Sequence, residues 1–120
     1  MKLFEILVPC QTNSGKPIRT RQHREWDRRV RQLTHGLTIM SPSKGQWISP
    51  SGDLFSERMI PVRIATTWAI MRQIADMTAA FYKQEAVMYY LISDDVLIRE
   101  YPQYGNSNCE ACSERDPEEA

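Results

Sequence analysis

The strongest constraint on the fold is the order of strand-like and helix-like spacings of hydrophobic residues along the chain. Residues 3–8 alternate with the two-residue period of a strand. A helical period follows between Thr20, which can cap a helix, and Gly36, which tolerates the left-handed backbone of a helix end. Its apolar positions are four and three residues apart: Trp26, Val30 and Leu33. The chain therefore begins with a strand and an amphipathic helix.

Extended structure resumes after this helix. Residues 37–40 and 46–48 are typical of two arms of an irregular hairpin, separated by Ser, Pro and Gly at 41–45. Residues 54–64 predict a long strand, and Pro61 within it indicates a sheet edge or a bulge.

A second helix is the clearest helical pattern in the chain. Thr66 or Thr67 can cap it, and it extends to about Lys83. Its predicted inward stripe is Ile70, Ile74, Met77 and Phe81. Residues 86–92 then predict a strand and residues 96–98 a short final one. This order indicates an α+β ferredoxin-like βαββαβ fold, in which an antiparallel sheet carries two helices on one face and a short extra C-terminal strand.

The length of 120 residues suits one domain, which we place at residues 1–101. Residues 102–120 are polar and acidic and predict a disordered tail. Cys109 and Cys112 have Cys-x-x-Cys spacing, but they form half a site and no second pair accompanies them. His23 and His35 are twelve residues apart and do not share a helix face as metal ligands do. We therefore predict no metal and no cofactor.

The charges balance at 15 basic and 15 acidic residues, so no overall field favours nucleic acid, and nucleic acid is not an expected partner. No apolar run approaches the roughly 20 residues that span a bilayer, so no membrane partner is expected. Three cysteines are too few for a disulfide framework and suit a reducing compartment. We therefore expect a cytoplasmic protein.

Several residue strings resemble a family of small bacterial and phage proteins classed as a domain of unknown function. They are Gly36-Leu37-Thr38-Ile39, Gly45-Gln46-Trp47, Gly52 with Leu54 and Glu57, and Gln84-Glu85-Ala86-Val87, together with Trp26 on the first helix. The resemblance covers residues 3–98 and implies the ferredoxin-like fold. Phage versions of such domains include proteins that oppose host defence, so the resemblance also implies a counter-defence role as one hypothesis.

The string Lys44-Gly45-Gln46-Trp47 is the most informative local feature, because Gln46 offers both donors and an acceptor and Trp47 offers a flat stacking surface. A second group of charged residues, among them Glu57 and Glu85, is expected to meet on the sheet and can orient a polar ligand. The candidate ligand-binding residues are Arg24, Arg28, Arg31, His35, Lys44, Gln46, Trp47, Arg58, Arg63 and Tyr89. No catalytic residue is assigned.

These residues favour a non-catalytic binding protein that sequesters an anionic nucleotide-like ligand, in the manner of a phage counter-defence sponge. We expect a homodimer through the open sheet face, which Arg63 and Tyr89 would line, or through edge strands. One alternative is a protein-interaction or inhibitor domain whose arginine-rich helix contacts a host protein. Another is a small dimeric α+β enzyme with His35, Glu57 or Tyr89 as acid or base.

Overall fold

The computed structural model describes residues 1–102 of the chain. Its elements are β1 (Lys2–Pro9), α1 (Thr20–Thr34), β2 (Thr38–Ile39), β3 (Ser43–Ile48), β4 (Leu54–Thr66), α2 (Trp68–Tyr82) and β5 (Tyr89–Ser93). The sheet runs in the order β2-β4-β1-β5, β3 also pairs with β4, and every pairing is antiparallel. This antiparallel sheet with two helices confirms the predicted α+β ferredoxin-like fold.

The core lies between one face of the sheet and both helices. Alternate residues of β1 and β4 supply the sheet side, in the pairs Phe4↔Ile64 and Ile6↔Val62. The helices supply buried apolar side chains in return: Trp26, Val30, Met71 and Ile74. Burying each large apolar side chain stabilises the fold by about 1.5–3 kcal/mol. The opposite face of the sheet carries neither of the two helices of residues 1–102, and we call it the open face.

The second helix begins where predicted, but its buried face is rotated slightly from the predicted stripe of inward residues. Thr67 is its N-cap, and its side chain accepts a hydrogen bond from the Ile70 N–H at 3.3 Å. The fully buried side of α2 includes Ile74 and Thr78, whereas Met77 is only partly buried. Thr78 can be buried because its hydroxyl donates to the Ile74 carbonyl at 2.6 Å. A polar residue therefore occupies a core position that hydrophobicity alone does not predict.

The first helix has the predicted inward side, but both of its ends lie one residue earlier than predicted. Arg19, not Thr20, is the N-cap, and its N–H donates to Gln22 Oε1 at 3.2 Å. At the other end His35, not Gly36, adopts the left-handed backbone, with φ at 69°. Its N–H donates to the Arg31 carbonyl at 2.8 Å.

Replacing this left-handed histidine with glycine is expected to stabilise the domain. The left-handed backbone costs an L-residue roughly 1–2 kcal/mol, and glycine avoids that cost while losing more chain entropy on folding. For His35→Gly we expect a net gain of about 0.5–1 kcal/mol in the free energy of urea unfolding. His35→Ala is the matched control and should give no gain, because alanine keeps the Cβ. Equal stabilisation by both variants would contradict this explanation.

The region between α1 and β4 differs from the predicted hairpin. β2 and β3 do not pair with each other, because both pair with β4, at Ile39↔Val62 and at Ser43↔Met59. β4 is therefore an interior strand, and the prediction that Pro61 marks a sheet edge is wrong. The Pro61 carbonyl accepts the Met40 N–H at 2.9 Å. Proline has no N–H to donate, and the position of the missing donor lies beside the break between β2 and β3. The irregularity that proline requires in a sheet is therefore on the neighbouring side and not in β4 itself.

The C-terminal part of the described chain is simpler than predicted. β5 begins at Tyr89, three residues later than expected, and residues 96–98 form no strand. Leu97 and Ile98 are exposed there. None of the helices within residues 1–102 is long and apolar enough to cross a membrane. The predicted tail from residue 103 onward, with Cys109 and Cys112, lies outside the described residues.

Candidate functional site

A groove of about 840 Å³ opens where β3 and β4 continue beyond the end of β1. We call β3 and residues 54–58 of β4 the arm. The arm contributes Gly45, Gln46, Trp47 and Glu57 to the groove. The loops at the same end of the sheet contribute Asn13, Gln84, Glu85, Ala86 and Met88, and the sheet contributes Leu7 and Met59. This volume lies within the roughly 300–1,000 Å³ typical of small-molecule sites.

An exposed aromatic pair dominates the arm wall. Trp47 and Phe55 face each other across β3 and β4, with ring centroids 4.6 Å apart and planes 17° from parallel. Trp47 is 49% exposed although it is the larger of the two side chains. Because Phe55 covers one face of the indole, Trp47 is held as a flat apolar surface at the groove.

The charged groups of the groove are both acidic. Glu57 and Glu85 are exposed, and within residues 1–102 neither carboxylate forms an ion pair. The described residues that line the groove include no lysine or arginine. Gln46 and Gln84 add amide groups, and that of Gln84 has only its oxygen left for a ligand, because its Nε2 donates to Asn13 Oδ1 at 3.3 Å and to the Tyr82 carbonyl at 3.2 Å. The groove therefore presents an aromatic surface, two acceptor-only carboxylates and two amides.

Asn13 fixes the loop wall of the groove. Its amide nitrogen donates to the Lys83 carbonyl at 2.9 Å, and its amide oxygen accepts from Gln84 Nε2 at 3.3 Å. These bonds join the loop after β1 to the end of α2, which are 70 residues apart in sequence. No local pattern signals this pair, because neither residue belongs to a hydrophobic period.

Two of the candidate ligand-binding residues, Gln46 and Trp47, line the groove, whereas the other two candidates on the arm, Lys44 and Arg58, do not. Lys44 and Arg58 lie directly opposite each other in the β3–β4 register, and both are exposed. Arg58 also holds the loop after β1, because its carbonyl accepts the Cys10 N–H at 3.3 Å. These two cations remain predicted ligand contacts outside the groove.

Arg63 belongs to a polar row across the open face. Its Nε donates to Glu5 Oε1 at 3.1 Å, and the Tyr90 hydroxyl donates to the other Glu5 oxygen. This hydrogen bond to Glu5 raises the pKa of the Tyr90 phenol. Glu5 is only 8% exposed, so the charge of Arg63 is largely offset by a neighbouring carboxylate.

The prediction that Tyr89 lines the open face is wrong. Tyr89 pairs with Ile6 and packs against the core on the helix side of the sheet. Tyr90, one residue on, points to the open face instead. The register between β5 and β1 decides the faces, because Tyr89 lies opposite the core residue Ile6 and Tyr90 lies opposite Glu5.

The first-helix candidates lie on the outer surface and not in the groove. Arg24, Arg28 and Arg31 are exposed. Arg28 Nε donates to Glu25 Oε2 at 2.9 Å, and this pair lowers the pKa of the Glu25 carboxyl. His35 is exposed at the end of α1. Their role as ligand contacts stays a prediction. Within the described part of the chain, no group of three or more His, Cys, Asp or Glu side chains is placed to hold a metal ion.

Comparison with known proteins identifies the fold. No family model and no curated protein matches the sequence. Among solved structures, CutA1, a divalent cation tolerance protein from Thermus thermophilus, matches with a TM-score of 0.58 at 10% identity. The match covers 88% of this chain and 91% of that one. CutA from Xylella fastidiosa is similar to the same extent, with a TM-score of 0.58 at 12% identity over 87% of this chain and 91% of that one.

A phage SAM lyase, solved in complex with S-methyl-5′-thioadenosine, also matches. Its TM-score is 0.60 at 13% identity, over 82% of this chain and 85% of that one. At such low identity these structures show a shared fold and nothing finer. The resemblance to the small bacterial and phage family therefore still rests on the residues quoted for it above.

Proposed function

We propose that this protein is a non-catalytic binding protein whose groove holds a nucleoside-containing small molecule. The observation that carries the proposal is the exposed indole of Trp47, supported from behind by Phe55 and placed in one groove with two carboxylates that form no ion pair within residues 1–102. An aromatic plane beside hydrogen-bond acceptors suits a ligand that is flat at one end and rich in hydroxyls at the other.

The base of the ligand is expected to stack on Trp47. Stacking of a base on an aromatic side chain contributes about 1–3 kcal/mol, largely without regard to which base it is. The Gln46 amide can then donate to and accept from the base edge, whereas Gln84 can only accept through Oε1, because its Nε2 already donates to Asn13 and to the Tyr82 carbonyl. Stacking supplies affinity in this arrangement, and the amides supply selectivity.

The ribose is expected to lie against Glu57 or Glu85. A carboxylate accepts hydrogen bonds from sugar hydroxyls, as the acidic residue of dinucleotide-binding folds does. A carboxylate that is already paired with a cation is less available for this role. Within residues 1–102, neither Glu57 nor Glu85 has such a partner.

The solved neighbours support this assignment by analogy. The phage SAM lyase was solved with S-methyl-5′-thioadenosine, so a protein of this fold accommodates a nucleoside. The CutA1 neighbours are named as divalent cation tolerance proteins. A sponge that removes a nucleotide signal of host defence remains our proposal for the biological role, and it requires that the ligand be held and not converted.

Self-association is part of the same proposal. The open face presents Tyr90 of β5, and the arm presents Phe55, both of them more than a third exposed. Apolar groups gathered on one face of a small domain are typical of an interface. We propose a homodimer, and sedimentation equilibrium of the full chain would give its stoichiometry and dissociation constant.

The test of function begins with the protein purified from its expressing cells. Native mass spectrometry reports any retained ligand, and isothermal titration calorimetry then measures binding of the four common nucleosides. Each bound compound is recovered by denaturing the protein and is identified by mass. We expect at least one nucleoside to bind and to be recovered intact after prolonged incubation.

Two results would redirect the proposal. Recovery of a product would favour the enzyme alternative, for which Glu57 is the one acid/base candidate from the sequence that lines the groove. No binding of any nucleoside or nucleotide would refute the nucleoside assignment and favour a host protein that contacts the arginines of α1.

A further inference from the structure

We propose that a second cavity, separated from the groove by Asn13, binds the phosphate of the ligand, so that the protein's ligand is a nucleotide. This inference rests on the proposed function, because it assigns the nucleoside part of the same molecule to the groove. It adds a binding site, with its own residues and its own chemistry, to the arm surface described above.

The cavity has a volume of about 380 Å³ and lies between the loop after β1 and the end of α2. The loop supplies Thr12, Ser14 and Lys16, and the helix end supplies Lys83. Two lysines therefore line one space with two hydroxyls, which hydrogen-bond to each other at 3.0 Å and so leave one hydroxyl hydrogen to donate. Such a donor set is complementary to phosphate oxygens, which only accept hydrogen bonds once ionised.

No acidic side chain of residues 1–102 competes for these lysines. The described lining of the cavity contains no Asp or Glu, and within residues 1–102 neither Lys16 nor Lys83 forms an ion pair. The Tyr82 hydroxyl in the wall is hydrogen-bonded to His23 Nδ1 at 2.7 Å. Burial raises the pKa of Tyr82 further above its usual value, so the phenol stays neutral and adds no negative charge.

The loop that carries Lys16 is held in a defined shape. The Thr12 carbonyl accepts the Gly15 N–H at 2.9 Å, and the Thr12 hydroxyl accepts the Lys16 N–H at 3.1 Å. Gly15 has φ at 84°, a backbone that glycine permits. This turn lacks the upstream glycine of a Walker-type loop, so it presents side-chain donors to a phosphate in place of a backbone cradle.

Asn13 places the two cavities next to each other. It lines both of them, and its side chain holds the carbonyl of Lys83 on one side and the amide of Gln84 on the other. Gln84 lines the groove, and Lys83 lines the second cavity. A ligand that spans Asn13 therefore meets carboxylates and an indole at one end and ammonium groups at the other. A nucleotide has matching chemistry in that order.

The test compares each nucleoside with its 5′-monophosphate by isothermal titration calorimetry at low salt. We expect the monophosphate to bind at least about tenfold more tightly, and the preference to shrink in roughly 0.5 M NaCl because exposed charges are screened. In the double variant Lys16→Met/Lys83→Met, the preference should disappear while nucleoside affinity stays within twofold. The control Lys2→Met/Arg72→Met removes two positive charges outside the cavity and should keep the preference.

The outcomes separate this inference from the proposed function. Nucleoside binding without a gain for the monophosphate would overturn the second site and leave the groove assignment intact. Equal loss of the preference in the control double variant would also overturn it, because net charge and not the cavity would then be responsible. Binding of the monophosphate alone, abolished by the lysine variant, would support the second site and overturn the assignment of the nucleoside to the groove. Failure of both compounds to bind would overturn both.

Discussion

Trp26→Ala is expected to lower the free energy of unfolding by about 3–5 kcal/mol, the usual cost of removing a large buried aromatic side chain. Trp26 is 1% exposed and lies in the centre of the core. Its indole N–H donates to the Thr78 hydroxyl at 2.9 Å, which joins α1 to α2. A small domain is stable by only about 5–15 kcal/mol, so this one change would remove a large share of that stability. Urea denaturation followed by circular dichroism measures the effect.

The chain contains its own controls for this experiment. Trp47 and Trp68 are 49% and 50% exposed, so their alanine variants remove a similar volume from the surface. Trp68 still packs edge-on against Phe4 at 4.7 Å, and we expect an intermediate loss for it. Trp26→Phe keeps a ring but removes the N–H, and its loss should lie well below that of Trp26→Ala. Similar losses for all three tryptophans would show that the assigned core is wrong.

Trp47→Ala is expected to weaken nucleoside binding by about 5–150-fold, which corresponds to the roughly 1–3 kcal/mol of one stacked base. The variant should fold normally, because its side chain lies on the exposed arm and outside the buried cluster. Calorimetric titration with whichever nucleoside binds the unmodified protein most tightly gives the ratio of dissociation constants.

Trp68→Ala is the matched control for binding, since it removes an equally exposed indole from the start of α2. Its dissociation constant should stay within twofold of that of the unmodified protein. Trp47→Phe retains a flat ring and should recover part of the lost affinity. Unchanged affinity in Trp47→Ala would exclude the arm as the stacking surface, even if a nucleoside binds elsewhere.

Local periodicity was sufficient to predict the fold. The alternation in residues 3–8 and the spacing of Trp26 and Val30 report burial directly, because one face of each element meets the core. The cap at Thr67 was also predictable, since it depends on residues within one helical turn. These features need no knowledge of distant parts of the chain.

The errors arose where distant residues decide the structure. β2 pairs with β4 at Thr38↔Arg63 and Ile39↔Val62, and β3 forms a hairpin with β4 instead of with β2, a choice between alternative partners that local pattern does not make. The exchange of Tyr89 for Tyr90 on the open face follows from the register between β5 and β1. Residues 96–98 have strand-like composition, yet they pair with no strand of the described chain.

A small part of the candidate site could be predicted for the same reason. Gln46 and Trp47 belong to one short string, so the sequence indicated them together. The contact between Asn13 and Gln84 joins positions 71 residues apart and is visible only once the sheet brings both loops to one end. Lys16 and Lys83 meet for the same topological reason.

The arm also determines how the molecule exchanges its amide hydrogens. Every residue of β3 is exposed, whereas β1 carries Phe4, Ile6 and Val8 in the core. Amides of β3 can therefore exchange through local opening, and those of β1 exchange only when the whole domain unfolds. A ligand seated on Trp47 would slow deuterium uptake in β3 directly, and it would also slow the amides of β1, because binding stabilises the folded state against global unfolding. Deuterium exchange read by mass spectrometry thus turns the arm into a reporter of occupancy for any compound, whatever its chemistry.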